Sequence, residues 1–554
     1  MRKAWIQGMF AAIALGLMLL QPLRAAAAEA GSASRLVSVQ WLAQQLGSAD
    51  LVLIDTSPTQ VHTARHIAGA SSLDIYALGS RELTPADTQA LFRAHGIGPD
   101  KRVVLYDQGG SMMATRVFFD LYYHGFPADR LFILDGGLAK WQATGQPVTT
   151  EPAAPRSPGR FQITARREEV RTRLDEFLIA SGDPVKHALV EALEPSYHFG
   201  ETKFFDRAGH VPNAVMLPSG DFYNADKTFK SPDEIRRMVD YLGIKPEQQV
   251  LSHCGGGVAA SVPFFALKFM LGFPNVKMYK ESQLEWLQDG RQLPYWTYDA
   301  PALKREADWL QGWSNRMMRT YGVTQLSVLD VRPAAQYAQG HVPFALNLPA
   351  EVFGRHLSEP QKLAELLGPA GVDATQEAVI VANGGLDESA ALAFLALEHL
   401  GQQRVSILMD SVDDWGLRGH PLTKDAPAVR PKKSANDVAI APTAYPLRMR
   451  PVVVKRSEPA RGAYPRVYIA AGAAAPSNAL APAPAGTLVH LPYTALLNAD
   501  RTPKPAKDLW SLLSKAGVPR YAEIVCIADK PGEAAAMYYL LRLMGYPDVK
   551  VQVG

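Results

Sequence analysis

Four times along the chain a short apolar run stops at a turn, an apolar-periodic stretch follows, and a second apolar run begins after a glycine. The first copy reads VVLYDQGGSMMATRVFFDLYYHGF, then LFILDGGLAKW; the second reads VLSHCGGGVAASVPFFALKFMLGF, then VKMYKESQLEW. The third is VIVANGGLDESAALAFLALEHLG with VSILMDSVDDW, and the fourth IVCIADKPGEAAAMYYLLRLMGY with VKVQVG. Short apolar runs around a helical period predict βαβ units, and hence a parallel sheet in each copy. From Asp107 to Gly125, Cys254 to Gly272 and Asn383 to Gly401 the spacing is 18 positions each time, and from Asp529 to Gly545 it is 16. Each of these glycines suits a helix C-cap, where the left-handed conformation is cheap only without a Cβ.

The half that precedes each turn repeats as well. An apolar strand ends in an acid (Asp55, Glu191, Asp330), and a loop carrying a histidine follows (His66, His210, His341). The fourth copy lacks both and ends before any aromatic-capped segment like those of Trp141, Trp286 and Trp415. The expected organisation is a leader at 1–28 and domains at 35–150, 165–305 and 310–425. A linker at 426–447 and a degenerate, truncated fourth domain at 448–554 complete it. The Pro-rich stretch 150–159 joins the first two domains, and the linker composition predicts an extended, solvated segment.

One copy carries chemistry that the others cannot. In VLSHCGGGVAASVP an apolar strand ends at Cys254, three glycines follow, and Pro263 falls in the first turn of a helix. Glycines let successive N–H groups turn inward, and together with the helix dipole they support a thiolate and hold an anion beside it. The other copies have Asp107, Asn383 and Asp529 at this position, none of which can accept a sulfane sulfur. Cys254 to Ala259 resembles the active-site loop of the rhodanese family of sulfurtransferases, and AGHVPNAVMLP resembles the family's GHIPGA motif. The resemblance implies an α/β chain of tandem rhodanese-like domains, each a central parallel sheet flanked by helices. It also implies that Cys254 is the nucleophile that carries sulfur as a persulfide. The N–H groups of Gly255, Gly256, Gly257, Val258 and Ala259 would cradle the persulfide or the leaving anion. An inactive N-terminal domain paired with an active one is common in the family, and the first two copies look like such a pair.

Departures from the family bear on the substrate. The CGGGVA loop has no charge, Leu193 stands where an arginine often binds the substrate anion, and YKESQLEW replaces the usual YDGSWxEW. A residue of the first copy reaching across the interface would restore a positive charge, and Arg116, at the start of the helix after that copy's loop, is a candidate whose position the sequence does not fix. Ala260 at the sixth position after Cys254 excludes the Cys-x5-Arg clamp of phosphatase chemistry. His253 and His210 read as structural, and Cys526 as a core cysteine inside an apolar strand.

Composition narrows the rest. In 554 residues, 47% hydrophobic content and 20% charged describe a globular protein, and a net charge of +3 offers no basic patch for nucleic acid. Two cysteines make neither a disulfide framework nor a metal cluster, so no metal and no cofactor is expected. Arg2 and Lys3, the run IQGMFAAIALGLMLL and the small residues near Ala28 read as a cleavable export signal. That predicts a periplasmic protein with no membrane contact beyond the signal. The expected partners are a small sulfur donor, a thiol or cyanide-like acceptor, and a protein of a sulfur relay. The competing function is a relay or binding scaffold with little activity on small donors.

Overall fold

The computed structural model describes residues 34–75, 83–474 and 486–553. The export signal expected at 1–28 lies outside them. Four five-stranded sheets follow one another along the chain, and every strand pair is parallel. Counting strands within a unit, each sheet has the order 1-5-4-2-3. In the second unit the strands are Arg171–Thr172, His187–Glu191, Ala214–Met216, Gln249–His253 and Val276–Tyr279. Helices cover both faces, which is why the central strands are nearly continuous in apolar residues.

The repeated signals have repeated structural causes. Gly125, Gly272, Gly401 and Gly545 adopt φ of 96°, 71°, 88° and 78°, so each helix ends in the left-handed turn that its spacing predicts. Trp141, Trp286 and Trp415 are fully buried. Their indole N–H groups donate to the carbonyls of Pro147 (2.8 Å), Pro294 (3.0 Å) and Pro421 (2.9 Å). The fourth sheet is as complete as the other three, with Val453–Lys455 and Val549–Val553 paired along its edge. What that unit lacks, among the described residues, is a tryptophan-bearing helix after the last strand.

The 426–447 linker is mostly exposed and without helix or strand, as its composition predicts, but it is fastened to the third unit at a few points. Thr443 N–H donates to the Gly368 carbonyl at 3.0 Å, and the Tyr445 hydroxyl to Gln402 Oε1 at 2.7 Å. Ala439 and Tyr445 are buried against the third unit, because the stretch carries apolar residues that its Pro and Lys content conceals. Similarly, Gly159 N–H donates to Arg93 O at 2.7 Å and ties the 150–159 stretch to the first unit.

The units are joined in pairs. One apolar core runs through units one and two, and another through units three and four. In the first pair helix Met113–Tyr123 crosses helix Ser261–Phe265, with Phe119 edge-on to Phe264 and Phe118 edge-on to Phe265, both at 5.0 Å. In the second pair helix Glu388–Leu400 meets Pro531–Leu543, with Phe394 edge-on to Tyr539 at 5.0 Å. Pairing places the turn after the fourth strand of one unit against its partner, and so puts Cys254 at the contact between units one and two.

Candidate active site around Cys254

Strand Gln249–His253 delivers Cys254 to the carboxyl edge of the second sheet, and helix Ser261–Phe265 starts beyond the loop with Pro263 in its first turn. Among parallel α/β sheets this edge is where ligands bind. Gly257 N–H points at Cys254 Sγ from 3.1 Å. Gly257 holds φ of 79°, and a Cβ there would stand 1.8 Å from the Lys280 carbonyl oxygen, so no other residue fits the turn. The Cys254 N–H donates to Ser282 Oγ at 3.1 Å, and that hydroxyl lies 3.9 Å from Sγ. Ser282 adopts φ of 56°, an uncommon conformation for a residue with a Cβ, and its hydroxyl donates to Tyr279 O at 2.7 Å.

The first unit shows what such a loop does when no cysteine is present. The Asp107 carboxylate accepts N–H groups from Gly109 at 2.8 Å and Ala114 at 3.1 Å, so an internal acid fills the cradle. Burial, opposed by those N–H groups, still leaves its pKa above the usual carboxylate value. The loop geometry is therefore an anion cradle, held by a side chain in unit one and by a thiol in unit two.

Arg116 does cross the interface. Its guanidinium donates to the Gly257 carbonyl at 3.0 Å and to Asp120 Oδ2 at 3.0 Å. Asp120 is also 3.4 Å from the Lys280 ammonium. Burial works against the Asp120 charge, but Arg116, Lys280 and His124 outweigh it and lower its pKa to about 2. Two cations thus stand beside the loop, each already facing a carboxylate. Thr115 and Ser261 hydroxyls meet at 2.8 Å across the same contact. The sequence pointed to Arg116 but not to Asp120 or Lys280, whose roles depend on pairing between units.

Phe204 covers the loop from the other side. Its ring lies where a Cβ on Gly255 would be, 2.0 Å from Cε2, and Cys254 is only 2% exposed. The 200–209 segment that carries it leaves Phe204 37% and Phe205 49% exposed. A cleft of about 390 Å³ opens beside Gly256, walled by Lys280, Glu281, Glu285 and Asp289. Glu281 pairs with Arg171, Glu285 accepts the Tyr279 hydroxyl at 2.6 Å, and Asp289 meets Arg291 at 2.8 Å.

Behind the loop lies a buried ionic chain. Gln283 N–H donates to the Cys254 carbonyl at 3.0 Å, and its side-chain amide to Glu191. Glu191 also meets His198, which contacts Asp299 Oδ1 at 2.7 Å. Burial opposes a charge on His198, but Asp299 and Glu191 prevail and raise its pKa to about 10. His253 is fully buried on Phe177, and burial lowers it to about 4, so it is neutral and lends no charge to the neighbouring thiol. Cys526 lies in strand Glu523–Ile527, where burial pushes its thiol well up. Among the described residues no helix is long and apolar enough to cross a membrane.

Comparison with known proteins follows the same divisions. The rhodanese-like domain profile matches residues 38–144, 181–289 and 310–417. The sulfur carrier protein TtuD of Thermus thermophilus is 32% identical over 268 residues, which cover 45% of this chain and 93% of that protein. A probable 3-mercaptopyruvate sulfurtransferase of Pseudomonas aeruginosa is 30% identical over 284 residues, 47% of this chain and 98% of its own. The crystal structure of SseA from Escherichia coli aligns with a TM-score of 0.41 at 27% identity, over 45% of this chain and 98% of that one.

Proposed function

The chain belongs to the rhodanese-like family, and from that premise we propose that it moves sulfane sulfur from a donor to a thiophilic acceptor through a persulfide on Cys254. The observation that carries the reading is the Gly257 N–H aimed at Sγ in a cradle whose copy in unit one holds a carboxylate. In the first step the Cys254 thiolate attacks the donor's outer sulfur. The new S–S bond forms as the donor's bond to that sulfur breaks, and the leaving group departs with the electron pair. In the second step an acceptor nucleophile, a thiolate or cyanide, attacks the outer sulfur and returns Cys254 as thiolate. Gly257 N–H, with the neighbouring loop amides of Gly255, Gly256, Val258 and Ala259, steadies the anion that each step leaves on the cysteine or its persulfide.

The donor is one of low charge. Lys280 and Arg116 face Asp120, and three carboxylates line the cleft beside Gly256, so a dianion entering there meets little uncompensated positive charge. A missing charge-assisted contact is worth roughly 1.5–3 kcal/mol, or about ten- to a hundredfold in affinity. Thiosulfate is accordingly the poorer donor, and 3-mercaptopyruvate or a protein persulfide the better one. Steady-state rates with thiosulfate, 3-mercaptopyruvate and polysulfide, on wild type and Cys254→Ser, test both claims. Activity surviving in Cys254→Ser refutes the persulfide; a clear preference for thiosulfate refutes the donor assignment alone.

A second reading rests on the exposed Phe204 and Phe205 beside an occluded thiol: the chain relays sulfur to another protein and turns over small donors slowly. The export-signal pattern of residues 1–28 supports a periplasmic location for either activity.

A further inference from the structure

The second unit departs from its neighbours in how its motif histidine is satisfied. In three units a ring from a short helix stacks on that histidine: His62 on His66, His198 on His210 and Tyr337 on His341, at 3.9, 3.7 and 3.6 Å. Each motif histidine turns Nδ1 to a main-chain carbonyl, of His62, His198 and Tyr337 respectively. The far nitrogen of His66 meets the Glu151 carbonyl at 3.0 Å, and that of His341 the Asp425 carbonyl at 3.3 Å. Among the described residues His210 has no such carbonyl. Its residue is 0% exposed, Nε2 has no hydrogen-bond partner among the described residues, and the polar atom it faces is Asp299 Oδ1 at 3.8 Å. A buried polar atom left unmatched is costly, so its retention asks for an explanation.

The same Asp299 oxygen is 2.7 Å from His198 Nε2, and ligand atoms from His198, His210 and Asp299 all lie within 4.8 Å of one another. We propose that these three residues form a site for a divalent first-row transition ion, zinc foremost. Two imidazoles and one carboxylate are a donor set suited to such ions. Both rings are already oriented by outer contacts, His198 Nδ1 on the Glu191 carboxylate and His210 Nδ1 on the His198 carbonyl, as metal-binding histidines commonly are. Ligands about 2.1 Å from a tetrahedral ion stand about 3.4 Å apart, and the present 2.7 and 3.8 Å straddle that separation. Binding requires the stacked rings to splay. The proton between His198 Nε2 and Asp299 leaves to solvent as the ion takes its place.

The site has a way in. Asp299 also lines a cavity of about 240 Å³ between units two and four, with Trp510 and Tyr546 on the fourth unit's side, leaving room for water as a further ligand. A Cβ on Gly545 would stand 2.3 Å from Asp299 Oδ2, so the carboxylate is wedged against the fourth unit. An ion there ties the active unit to the distant one. Through Glu191 and Gln283 it also steadies the Cys254 carbonyl. This assignment does not depend on sulfur transfer.

Full-length protein carrying Cys254→Ser, in which no active-site thiolate competes for metal, is stripped with chelator and titrated with Zn²⁺ and with Co²⁺. The expected result is one ion per chain, a raised Tm, and cobalt absorption and X-ray fine structure typical of histidine nitrogen and oxygen ligands. Asp299→Asn and His210→Gln each weaken binding by at least about tenfold, whereas His66→Gln, in the matching stack of unit one, does not. Should either variant fail to fold, the Cys254→Ser titration and its ligand signature decide alone. The proposal is overturned by no saturable ion in that protein, by a ligand set without histidine, or by binding unchanged in both folded variants.

Discussion

At Cys254 a strand buried on both faces ends, and the sulfur meets one N–H at 3.1 Å and one hydroxyl at 3.9 Å. Arg116 acts a step further out, through the carbonyl of Gly257, and it is also one of two cations facing the partly buried Asp120. Arg116→Met therefore loosens the loop and weakens the compensation of a partly buried charge. Sulfur transfer should fall by about ten- to a hundredfold, and stability by about 3 kcal/mol in denaturant titration. Arg116→Lys should recover much of the stability and little of the rate, since an ammonium cannot serve both acceptors in a fixed fork. The cysteine and its glycines were legible in the sequence because they belong to a local pattern, whereas Arg116 was only a candidate and its reach to Gly257 comes from the packing of two units. Asp120, Lys280 and Phe204 were not, because their positions beside the loop come from packing between distant segments. Ser282 was written in YKESQLEW, but only its left-handed backbone shows why it holds the Cys254 N–H.

Two elements govern access and assembly. The 200–209 segment carries Phe204 over Gly255, beside a thiol that is only 2% exposed. Phe204→Ala should raise the rate of Cys254 alkylation by iodoacetamide several-fold without lowering Tm; an unchanged rate would show that the ring is no barrier. Asp135, beyond strand Leu131–Leu134, accepts Phe229 N–H at 2.8 Å and so joins units one and two. Burial, partly offset by that N–H, raises its pKa from 3.8 to about 6. The folded chain thus holds a proton that the unfolded chain has released. Asp135 favours folding below about pH 4 and loses that contribution as pH rises to about 6, by about 2 kcal/mol at most after screening. Asp135→Asn should flatten this part of the stability profile, read as the difference between variant and wild-type unfolding from pH 4 to 7. The helices and strands themselves were readable from periodicity and C-cap glycines. The exposed character of the 426–447 linker was readable from composition, but its anchors Ala439 and Tyr445 were not, because composition alone does not show that they find an apolar surface to cover.

On the scale of the molecule, the four units form two pairs with one shared core each, and only the first pair holds a cysteine where the loop can use it. The repeat spacing foretold the units; the pairing of the first two was expected only from the family resemblance, and that of units three and four was not, since faces that meet between units look like ordinary core in the sequence. Pairing gives unit one a role without a cysteine of its own: it supplies Arg116 to the loop of unit two and Thr115 to the start of the helix that follows. The central claim is that one sulfur per chain passes through Cys254. Intact and peptide mass spectrometry of the full-length protein, after loading with 3-mercaptopyruvate and again after adding cyanide, measures this directly. The account predicts one added sulfur atom, confined to the Cys254 peptide and removed by cyanide. Sulfur on the Cys526 peptide, sulfur that cyanide cannot remove, or no loading at all would contradict it.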